Sequence, residues 1–355
     1  MGGLLSGPST QKDSGDGRSY TNGLEWGFSA MQGWRDRMED SHLAISSLAS
    51  PAVSSSARWR DSSLFVVMDG HGGEHVAQFC QRHFPAELVL QNSQDCSDAL
   101  MRAFHRMDTL LMDSQYLEEL QSLGRSLAFK SWANPEIMGC TMVAAVVRPD
   151  AIFVANAGDS RAVLCRRGKA IDMSEDHKPN SPVELSRVLR AGGTVVQQHV
   201  GNHVHYRING NLNLSRSIGD LLYKQNHTLS AEEQVITCHP DVRCFSRQAD
   251  DEFMILACDG VWDVLSSQEA VDFVRMRLGS FADLAFRLQE GRLRLSSILE
   301  EMLDACVSPD LAQTMGIGGD NMTALLVVFS EGGRQANWLD STSVLPTQSW
   351  MCPYR

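Results

Sequence analysis

The sequence predicts an α+β fold in which antiparallel β-sheets pack against helices. Short apolar runs of strand length recur along the chain. One stretch, AVLCRRGKAI (162–171), joins two of them through a tight turn that is typical of an antiparallel hairpin. Helical patterns fall between groups of strands and do not alternate with single strands. This order argues against a parallel βαβ sheet and indicates the α+β class.

The strand predictions rest on short runs that are mostly β-branched or aromatic. All of them are far too short to span a membrane as a helix, which takes about 20 apolar residues. The predicted strands are 64–68, 141–148, 151–156, 161–165, 253–258 and 323–329.

The helix predictions rest on apolar residues spaced three or four positions apart. In 97–113, Leu100, Phe104 and Leu111 lie on one apolar face, and 75–90 has a similar face. Further helix starts are predicted by SxxE motifs, because the serine can cap a backbone N–H while the glutamate reaches back to the cap. These motifs begin at Ser181, Ser266 and Ser297.

The composition is that of an ordinary globular protein with an excess of acid. Of 355 residues, 43% are apolar and 21% charged, and the formal net charge is −12. Electrostatic attraction supplies much of the affinity for nucleic acid, so this charge argues against a nucleic-acid partner. The sequence has no heptad repeat or large apolar stripe, and we therefore expect a monomer.

The cysteines indicate a reducing compartment. The sequence has nine of them, an odd number, and no CxxC pair. Scattered thiols inside apolar runs are typical of cytosolic proteins, whereas disulfide frameworks are typical of secreted ones. We expect the protein in the cytoplasm, with the nucleus and a weakly membrane-associated fraction open as further locations.

The two ends of the chain differ from its middle. Residues 1–22 are polar and rich in Gly and Ser, which predicts a flexible segment, and residues 331–355 lack periodicity and are predicted to form a short tail. The start, MGGLLS, fits the N-myristoylation pattern with Gly2 as the acceptor, although such starts also arise by chance. One myristoyl chain at Gly2 would give weak, reversible membrane association.

Acidic residues recur at the ends of the predicted strands. Asp69 follows FVVM, Asp159 follows IFVANAG and Asp259 follows FMILAC. Asp320 precedes the last strand, and Glu39 lies in WRDRMED. Taken singly, each reads as a turn or a surface acid. Taken together, they predict a cluster, because the ends of separate strands can converge at one end of a sheet. Clustered carboxylates repel one another unless a cation lies among them.

A cluster of this kind would bind hard divalent cations. Carboxylate oxygens select Mg²⁺ or Mn²⁺ over zinc or copper. Two such ions bridged by a carboxylate can lower the pKa of a shared water, which then supplies a hydroxide nucleophile near neutral pH. The acids therefore predict a two-metal hydrolytic centre.

Two further residues indicate that the substrate is a phosphate ester. Arg35 can form a bidentate pair with phosphate oxygens. His71, two residues beyond Asp69, titrates near physiological pH and can protonate the departing alkoxide. The sequence contains no GxSxG elbow or P-loop, and its one CxxxxxR spacing, CSDALMR (96–102), falls on the helix predicted over 97–113 and not on a phosphate loop. Covalent catalysis by Ser or Cys and binding of nucleoside triphosphates therefore lack support.

Several ordered motifs carry a family resemblance. They are MQGWRDRMED, VVMDGHGG, GCTMV, NAGDSRAV, DHKP, RAGGTV, LSRSIGD, ILACDGVWDV and GGDNMTALLV. In this combination the chain, from about Gly23 to Ser330, resembles the metal-dependent protein phosphatases of type 2C, which act on phosphoserine and phosphothreonine. The resemblance implies a four-layer αββα sandwich and phosphoprotein substrates. It also implies hydrolysis by a metal-bridging hydroxide in a binuclear Mg²⁺ or Mn²⁺ centre.

The resemblance implies a role for each acid at a matching position. Asp69 would bridge both ions. Glu39 and the carbonyl of Gly70 would bind one of them, and Asp259 and Asp320 would bind the other.

Other positions would assist this centre. Asp159 would help Asp259 to hold a weaker third ion, and Asp40 would order metal-bound water. Arg35 would bind the phosphate and His71 would act as the general acid, in agreement with the interpretation from the residues alone.

The implied organisation is a catalytic domain over 23–330, between the flexible segment 1–22 and the tail 331–355. Within the domain, 178–224 would form a flap beside the cleft, where such enzymes vary in substrate preference. Arg187 is expected at the surface of this flap.

An alternative of another class is a catalytically inactive member of the fold that binds phosphoproteins as a regulator. Inactive members usually lose one or more metal acids, whereas this chain keeps all of those predicted. An active enzyme is therefore the preferred interpretation. A two-metal nuclease is disfavoured by the acidic charge.

Overall fold

The structure of the protein, a computed structural model, describes residues 4–49, 57–91, 93, 95–123, 134–200, 203–280 and 284–329. Gly2 and residues 331–355 lie outside these ranges, so N-myristoylation and the short tail stay predictions. Within the described ranges, no helix is both long and apolar enough to span a membrane.

The strands follow one another in groups, as the sequence predicted. In chain order they are β1 (Leu4–Ser19), β2 (Leu24–Arg35), β3 (Ser41–Ile45), β4 (Ser63–Met68), β5 (Gly70–His71), β6 (Gly139–Cys140), β7 (Met142–Val147), β8 (Ala151–Ala157), β9 (Arg161–Arg166), β10 (Lys169–Asp172), β11 (Val195–Val200), β12 (His203–Ile208), β13 (Ile218–Gly219), β14 (Asp241–Ser246), β15 (Asp251–Ala257) and β16 (Met322–Phe329). The six strands predicted from sequence are all present, with ends that agree to within two residues.

The helices lie in two groups, before β6 and after β15, with one more helix between β10 and β11. They are α1 (His75–Leu90), α2 (Cys96–Leu111), α3 (Leu117–Ser122), α4 (Pro182–Arg190), α5 (Asp259–Trp262), α6 (Ser267–Leu278), α7 (Leu284–Gln289) and α8 (Leu295–Cys306). Short 3₁₀ turns cover Ala57–Trp59, Ser114–Tyr116, Leu221–Lys224 and Ala231–Glu233.

Two antiparallel sheets form the centre of the molecule. One has six strands in the order β1-β2-β16-β15-β9-β10, and the other has five in the order β14-β8-β7-β4-β3. Alternation along each strand places one row of apolar side chains between the sheets and the other row beneath helices. In β4, Phe65 and Val67 pack between the sheets, whereas Leu64 and Val66 pack against α1 and α2.

The six-stranded sheet is covered in the same way. In β15, Met254 and Leu256 pack between the sheets, whereas Phe253 and Ile255 pack in the cluster that includes α6 and α8. The order of layers is therefore helices, sheet, sheet, helices. This arrangement confirms the predicted α+β class and the αββα sandwich.

The prediction of a flexible segment over residues 1–22 is wrong for residues 4–19. These residues form β1, which pairs with β2 at the edge of the six-stranded sheet. Polar side chains also fasten the strand to α8, since Asp16 accepts hydrogen bonds from the backbone and side chain of Ser296 and Lys12 pairs with Asp304 at 2.6 Å. Backbone pairing and these long-range contacts hold β1 in place. Its sequence has no apolar alternation that would predict a strand.

The predicted surface position of Arg187 in the flap is also wrong. Arg187 is buried, and its guanidinium donates to Glu184 and to the carbonyl of Ser215, both at 2.7 Å. Arg216 pairs with the same Glu184 carboxylate, also at 2.7 Å, and with Asp241 at 2.9 Å. Two buried cations are therefore neutralised by one buried acid and a second, half-exposed one.

This network also changes the interpretation of one SxxE motif. Ser181 precedes α4, but neither it nor Glu184 makes a side-chain cap bond there, because the carboxylate pairs with the arginines. Ser266 does form the predicted capping box with Glu269. Ser297 lies inside α8 rather than before it.

Replacing Glu184 with glutamine is expected to lower the free energy of unfolding by about 3 kcal/mol, because Arg187 and Arg216 keep their buried charges without this partner. Burial alone would raise the pKa of Glu184, but hydrogen bonds and charge from Arg216 lower it to about 2. In the folded protein the pKa of Glu184 is below its ordinary value of 4.5, so the carboxylate contributes its full stabilisation above pH 4.5. This stability is lost as the pH falls toward 2. Urea denaturation across this range measures both effects.

A matched control is Glu233→Gln, which removes another pair to an arginine of α4. Glu233 and Arg190 are 2.9 Å apart, but their side chains are 46% and 59% exposed. An exposed pair contributes about 0–1 kcal/mol, so this variant should unfold close to the native protein. Equal losses in the two variants would contradict the assignment of stability to the buried network.

Candidate metal centre

Strand ends from both sheets bring the predicted acids together. Asp69 and Asp159 follow β4 and β8 of the five-stranded sheet. Asp259 lies just after β15 and Asp320 just before β16 in the six-stranded sheet. The two sheets lie face to face, so the four acids meet at one end of the sandwich. Their proximity is seen in their pKa values, which the neighbouring carboxylates raise.

The pKa of Asp69 is raised well above its ordinary value, first by burial and then by neighbouring negative charges, of which Asp259 and Asp40 are the largest. The pKa of Asp259 is raised in the same way, by burial and by Asp159. That of Asp320 is raised by burial in spite of the opposing charge of a nearby arginine. Ionised carboxylates at this place repel one another, which a bound cation would relieve.

Two glycines let the backbone segments around the acids approach closely. A Cβ atom at Gly70 would lie 2.3 Å from the carbonyl oxygen of Glu39. A Cβ atom at Gly260 would lie 2.0 Å from the carbonyl oxygen of Asn321. Any larger residue would force these segments apart, and glycine is therefore required at both positions.

Asn321 fastens the segment that carries Glu39. Its Oδ1 accepts from the backbone N–H of Glu39 at 2.9 Å, while its Nδ2 donates to the carbonyls of Gln32 at 2.7 Å and Arg37 at 2.9 Å. The pKa of Glu39 is raised, chiefly by burial, although His71 lowers it. Glu39 therefore belongs to the same electrostatic cluster as the aspartates.

Two cations lie among the acids. The Nη2 of Arg35 is 2.5 Å from Asp320 Oδ2, and about a third of each side chain is exposed. Lys178, which the sequence interpretation gave no role, lies 2.6 Å from Asp159. Burial alone would lower the pKa of Lys178, but the charges of Asp159 and Asp259 raise it. Its ammonium group is therefore a permanent counter-charge at one side of the cluster.

Asp40 provides a test of whether the cluster fits a metal. Its Oδ2 accepts from Thr323 at 2.7 Å, but its buried Oδ1 has no hydrogen-bond partner among the described residues. Burial raises the pKa of Asp40 to about 7. Ligand atoms of Asp40, Asp69 and Cys258 lie within 4.8 Å of one another.

The thiol in this group has partners of its own. Cys258 Sγ lies 3.5 Å from the carbonyl oxygen of Asn321 and accepts from the backbone N–H of Thr323 at 3.2 Å. Burial raises its pKa well above the ordinary value, so the sulfur is a neutral thiol and a poor metal ligand. The donors that remain are carboxylate and carbonyl oxygens, which fit Mg²⁺ or Mn²⁺.

His71 is held by a residue that the sequence interpretation did not single out. Its Nε2 is 2.7 Å from Oδ2 of the buried Asp220, which also accepts from Ser217. Burial alone would lower the pKa of His71, but the charge and hydrogen bond of Asp220 outweigh this effect and raise it. Asp220 has left-handed backbone at φ +50°, which is uncommon for a residue other than glycine.

All of the predicted site residues therefore lie in or beside one cluster. They are Arg35, Glu39, Asp69, Gly70, His71, Asp159, Asp259 and Asp320. The residues that sequence reasoning missed are Lys178, Asp220 and Asn321. Each lies in a motif already recognised, DHKP, LSRSIGD or GGDNMTALLV, but nothing in a motif shows which residues touch each other. The separate roles of the predicted residues stay predictions.

A cluster of carboxylates at the end of an αββα sandwich, with an arginine and a histidine beside it, is typical of a metal-dependent hydrolase. Comparison with known proteins narrows this class. The sequence profile of the family Protein phosphatase 2C matches residues 24–324. The chain therefore belongs to the protein phosphatase 2C family, the metal-dependent enzymes that dephosphorylate serine and threonine residues of phosphoproteins.

Proteins of similar sequence occur in Arabidopsis thaliana and Paramecium tetraurelia. Probable protein phosphatase 2C 21 of Arabidopsis thaliana is 38% identical, over 93% of this chain and 93% of its own length. Probable protein phosphatase 2C 3 of Paramecium tetraurelia is 40% identical, over 93% of this chain and 100% of its own. A solved phosphatase structure from Toxoplasma gondii has a TM-score of 0.64 at 23% identity, covers 90% of this chain and 96% of its own, and shares the fold.

Proposed function

We propose that the protein hydrolyses phosphoserine and phosphothreonine in phosphoproteins at a binuclear Mg²⁺ or Mn²⁺ centre. The observation that carries this proposal is the cluster of carboxylates in which the pKa values of Asp69, Asp259 and Asp320 are all raised. Such a cluster stores repulsion that divalent cations relieve. Two bound cations would supply an activated water as the nucleophile and neutralise charge on the phosphate.

The chain offers suitable ligands for both ions. Asp69, whose pKa responds to acids from both sheets, would bridge them. Glu39 and the Gly70 carbonyl belong to segments in close contact and would bind one ion. Asp259 and Asp320, which flank β15 and β16, would bind the other.

A third ion would be held weakly. Its ligands would be Asp159 and Asp259, but Asp159 already pairs with Lys178 at 2.6 Å. An incoming ion would compete with this ammonium group, and the competition would lower its affinity.

Arg35 would bind the substrate phosphate. One of its N–H groups is bound to Asp320, which orients the guanidinium beside the acids. Its other N–H groups can donate to two phosphate oxygens at once. The pair with Asp320 would therefore hold a bound phosphate next to the carboxylates.

His71 would hold the proton that leaves with the alcohol. Its Nε2 is bound to Asp220, and Nδ1 is then the nitrogen that can donate to the leaving oxygen. The raised pKa favours the protonated ring near neutral pH. As the P–O bond breaks, the proton would pass from Nδ1 to the alkoxide.

Metal removal tests the proposal. With Mn²⁺ or Mg²⁺, the full chain should release phosphate from a phosphothreonine peptide, and a chelator should reduce turnover to near background. Adding back excess Mn²⁺ should restore it, and a denaturation curve in the chelator should show that the protein stays folded. Full activity in the chelator would rule out the metal centre. Phosphopeptide binding without turnover in Mn²⁺ would instead favour the inactive regulator.

A further inference from the structure

A second cluster of metal-ligand side chains lies outside the acidic centre. We propose that His105, Glu232 and His239 form a zinc site that fastens helix α2 to the segment between the flap and β14. His105 lies on α2, Glu232 in the turn Ala231–Glu233, and His239 two residues before β14. Their ligand atoms all lie within 4.8 Å of one another.

The distances fit tetrahedral coordination. His105 Nε2 lies 3.0 Å from His239 Nδ1, and His239 Nδ1 lies 3.6 Å from Glu232 Oε1. Zinc bonds of about 2.0–2.1 Å at tetrahedral angles place neighbouring ligand atoms about 3.3 Å apart. These two pairs would reach the spacing of zinc ligands with shifts of a few tenths of an ångström, and the ligand atoms of His105 and Glu232 lie within 4.8 Å of one another.

The ligand types select a different metal from the acidic centre. Two imidazoles and one carboxylate are a set that zinc prefers, whereas Mg²⁺ prefers oxygen ligands alone. A fourth position would be open to water. His105 also lines a groove of about 830 Å³ together with Cys238 and Lys224.

Supporting contacts orient the ring of His105 and hold the backbone of His239. Cys238 Sγ lies 3.5 Å from His105 Nδ1. Burial raises the pKa of this thiol well above its ordinary value, so it is neutral, and its sulfur can accept a hydrogen bond from Nδ1–H, which leaves the lone pair on Nε2 for an ion. The carbonyl of His239 accepts from Arg216 at 3.0 Å, and its N–H donates to Thr237 at 3.0 Å.

The charge balance around the rings also suits a cation. Burial lowers the pKa values of both His105 and His239, so both rings are neutral ligands near neutral pH. Asp108 and Asp241 add negative charge nearby, whereas Lys224 and Arg216 add positive charge. Glu232 supplies the additional anion.

A simple hydrogen bond between the two rings is the competing explanation for their approach. It requires only that one ring nitrogen carries a proton, and it gives Glu232 no part, since 3.6 Å is too long for a hydrogen bond to His239. The two explanations differ in their response to zinc, and in whether Glu232 matters.

The site has a structural connection to the catalytic cluster. Asp108, one turn beyond His105 on α2, accepts from the backbone N–H of Gly219 at 2.8 Å and pairs with Lys224 at 2.5 Å. Gly219 precedes Asp220, the partner of His71. An ion at His105 would therefore stabilise α2 against the base of the flap without touching substrate.

The test titrates Zn²⁺ into the full chain carrying Asp69→Asn and Asp259→Asn, so that the acidic centre is removed as a competing site. We expect one zinc ion per chain and a visible tetrahedral absorption spectrum with Co²⁺. His105→Gln, or the more exposed Glu232→Gln as a variant safer for folding, should weaken binding at least about tenfold. His205→Gln, an exposed histidine of the β11–β12 hairpin, is the matched control and should bind as before.

Zinc should also raise the denaturation temperature of the double variant, but not after His105→Gln. Absence of zinc binding, or equal binding with and without Glu232 and His105, would overturn the proposal. Because the acidic ligands are already removed, these outcomes are independent of whether the proposed phosphatase centre is correct.

Discussion

Replacing Asp259 with asparagine should nearly abolish phosphothreonine hydrolysis, with a loss of more than about 100-fold at a fixed Mn²⁺ concentration. The change keeps the shape of the side chain but removes a charge that would hold one ion. It also removes repulsion, because the pKa of Asp259 is raised by burial and by the charge of Asp159. In a chelator near neutral pH, the variant should therefore be more stable than the native protein by more than about 1 kcal/mol.

Opposite signs for activity and stability distinguish a metal ligand from a structural acid. A matched control is Asp61→Asn, an exposed aspartate near the opposite end of β4 from Asp69, which should change neither quantity. Full activity of the Asp259 variant would exclude it as a ligand. A loss of stability in the chelator would contradict the repulsion inferred from its raised pKa.

Replacing His71 with glutamine should slow a phosphothreonine peptide by about 100- to 10,000-fold, the range that general acid catalysis contributes. Its effect on an aryl phosphate such as p-nitrophenyl phosphate should be less than about tenfold, because that leaving group departs without a proton. The ratio of kcat values for the two substrates is the measurement. Equal losses on both substrates would remove His71 from the general-acid role.

Asp220→Asn should give a smaller change in the same direction. The amide still fills the space beside His71 Nε2, but it no longer favours the protonated ring. The phosphothreonine peptide should again be affected more than the aryl ester. A loss shared equally by both substrates would indicate that Asp220 acts only through the fold.

The strands and the acids that follow them were accessible from the sequence because their signals are local. Continuous apolar runs marked β4 and β15, and Asp69 and Asp259 follow these strands within two residues. The amphipathic face of α2 was equally local. In each case a few neighbouring residues carry the whole pattern.

The errors share one physical origin. Glu184 and Arg187 read as a helix cap and a surface cation, yet with Arg216 they form one buried network. Strand β1 reads as flexible, yet it is held by pairing with β2 and by contacts to α8. Each of these depends on partners far away along the chain.

By itself, the sequence determined the α+β class, the oxygen character of the predicted ligands and the presence of an arginine and a histidine close to them along the chain, because residue type and strand position already specify that chemistry. Only the tertiary structure decided which charges meet. Lys178 pairs with Asp159 across 19 positions, and Asp220 reaches His71 across 149. A specific ion pair needs both partners to be desolvated and held in place by the fold. No local sequence pattern shows which two residues will meet in this way.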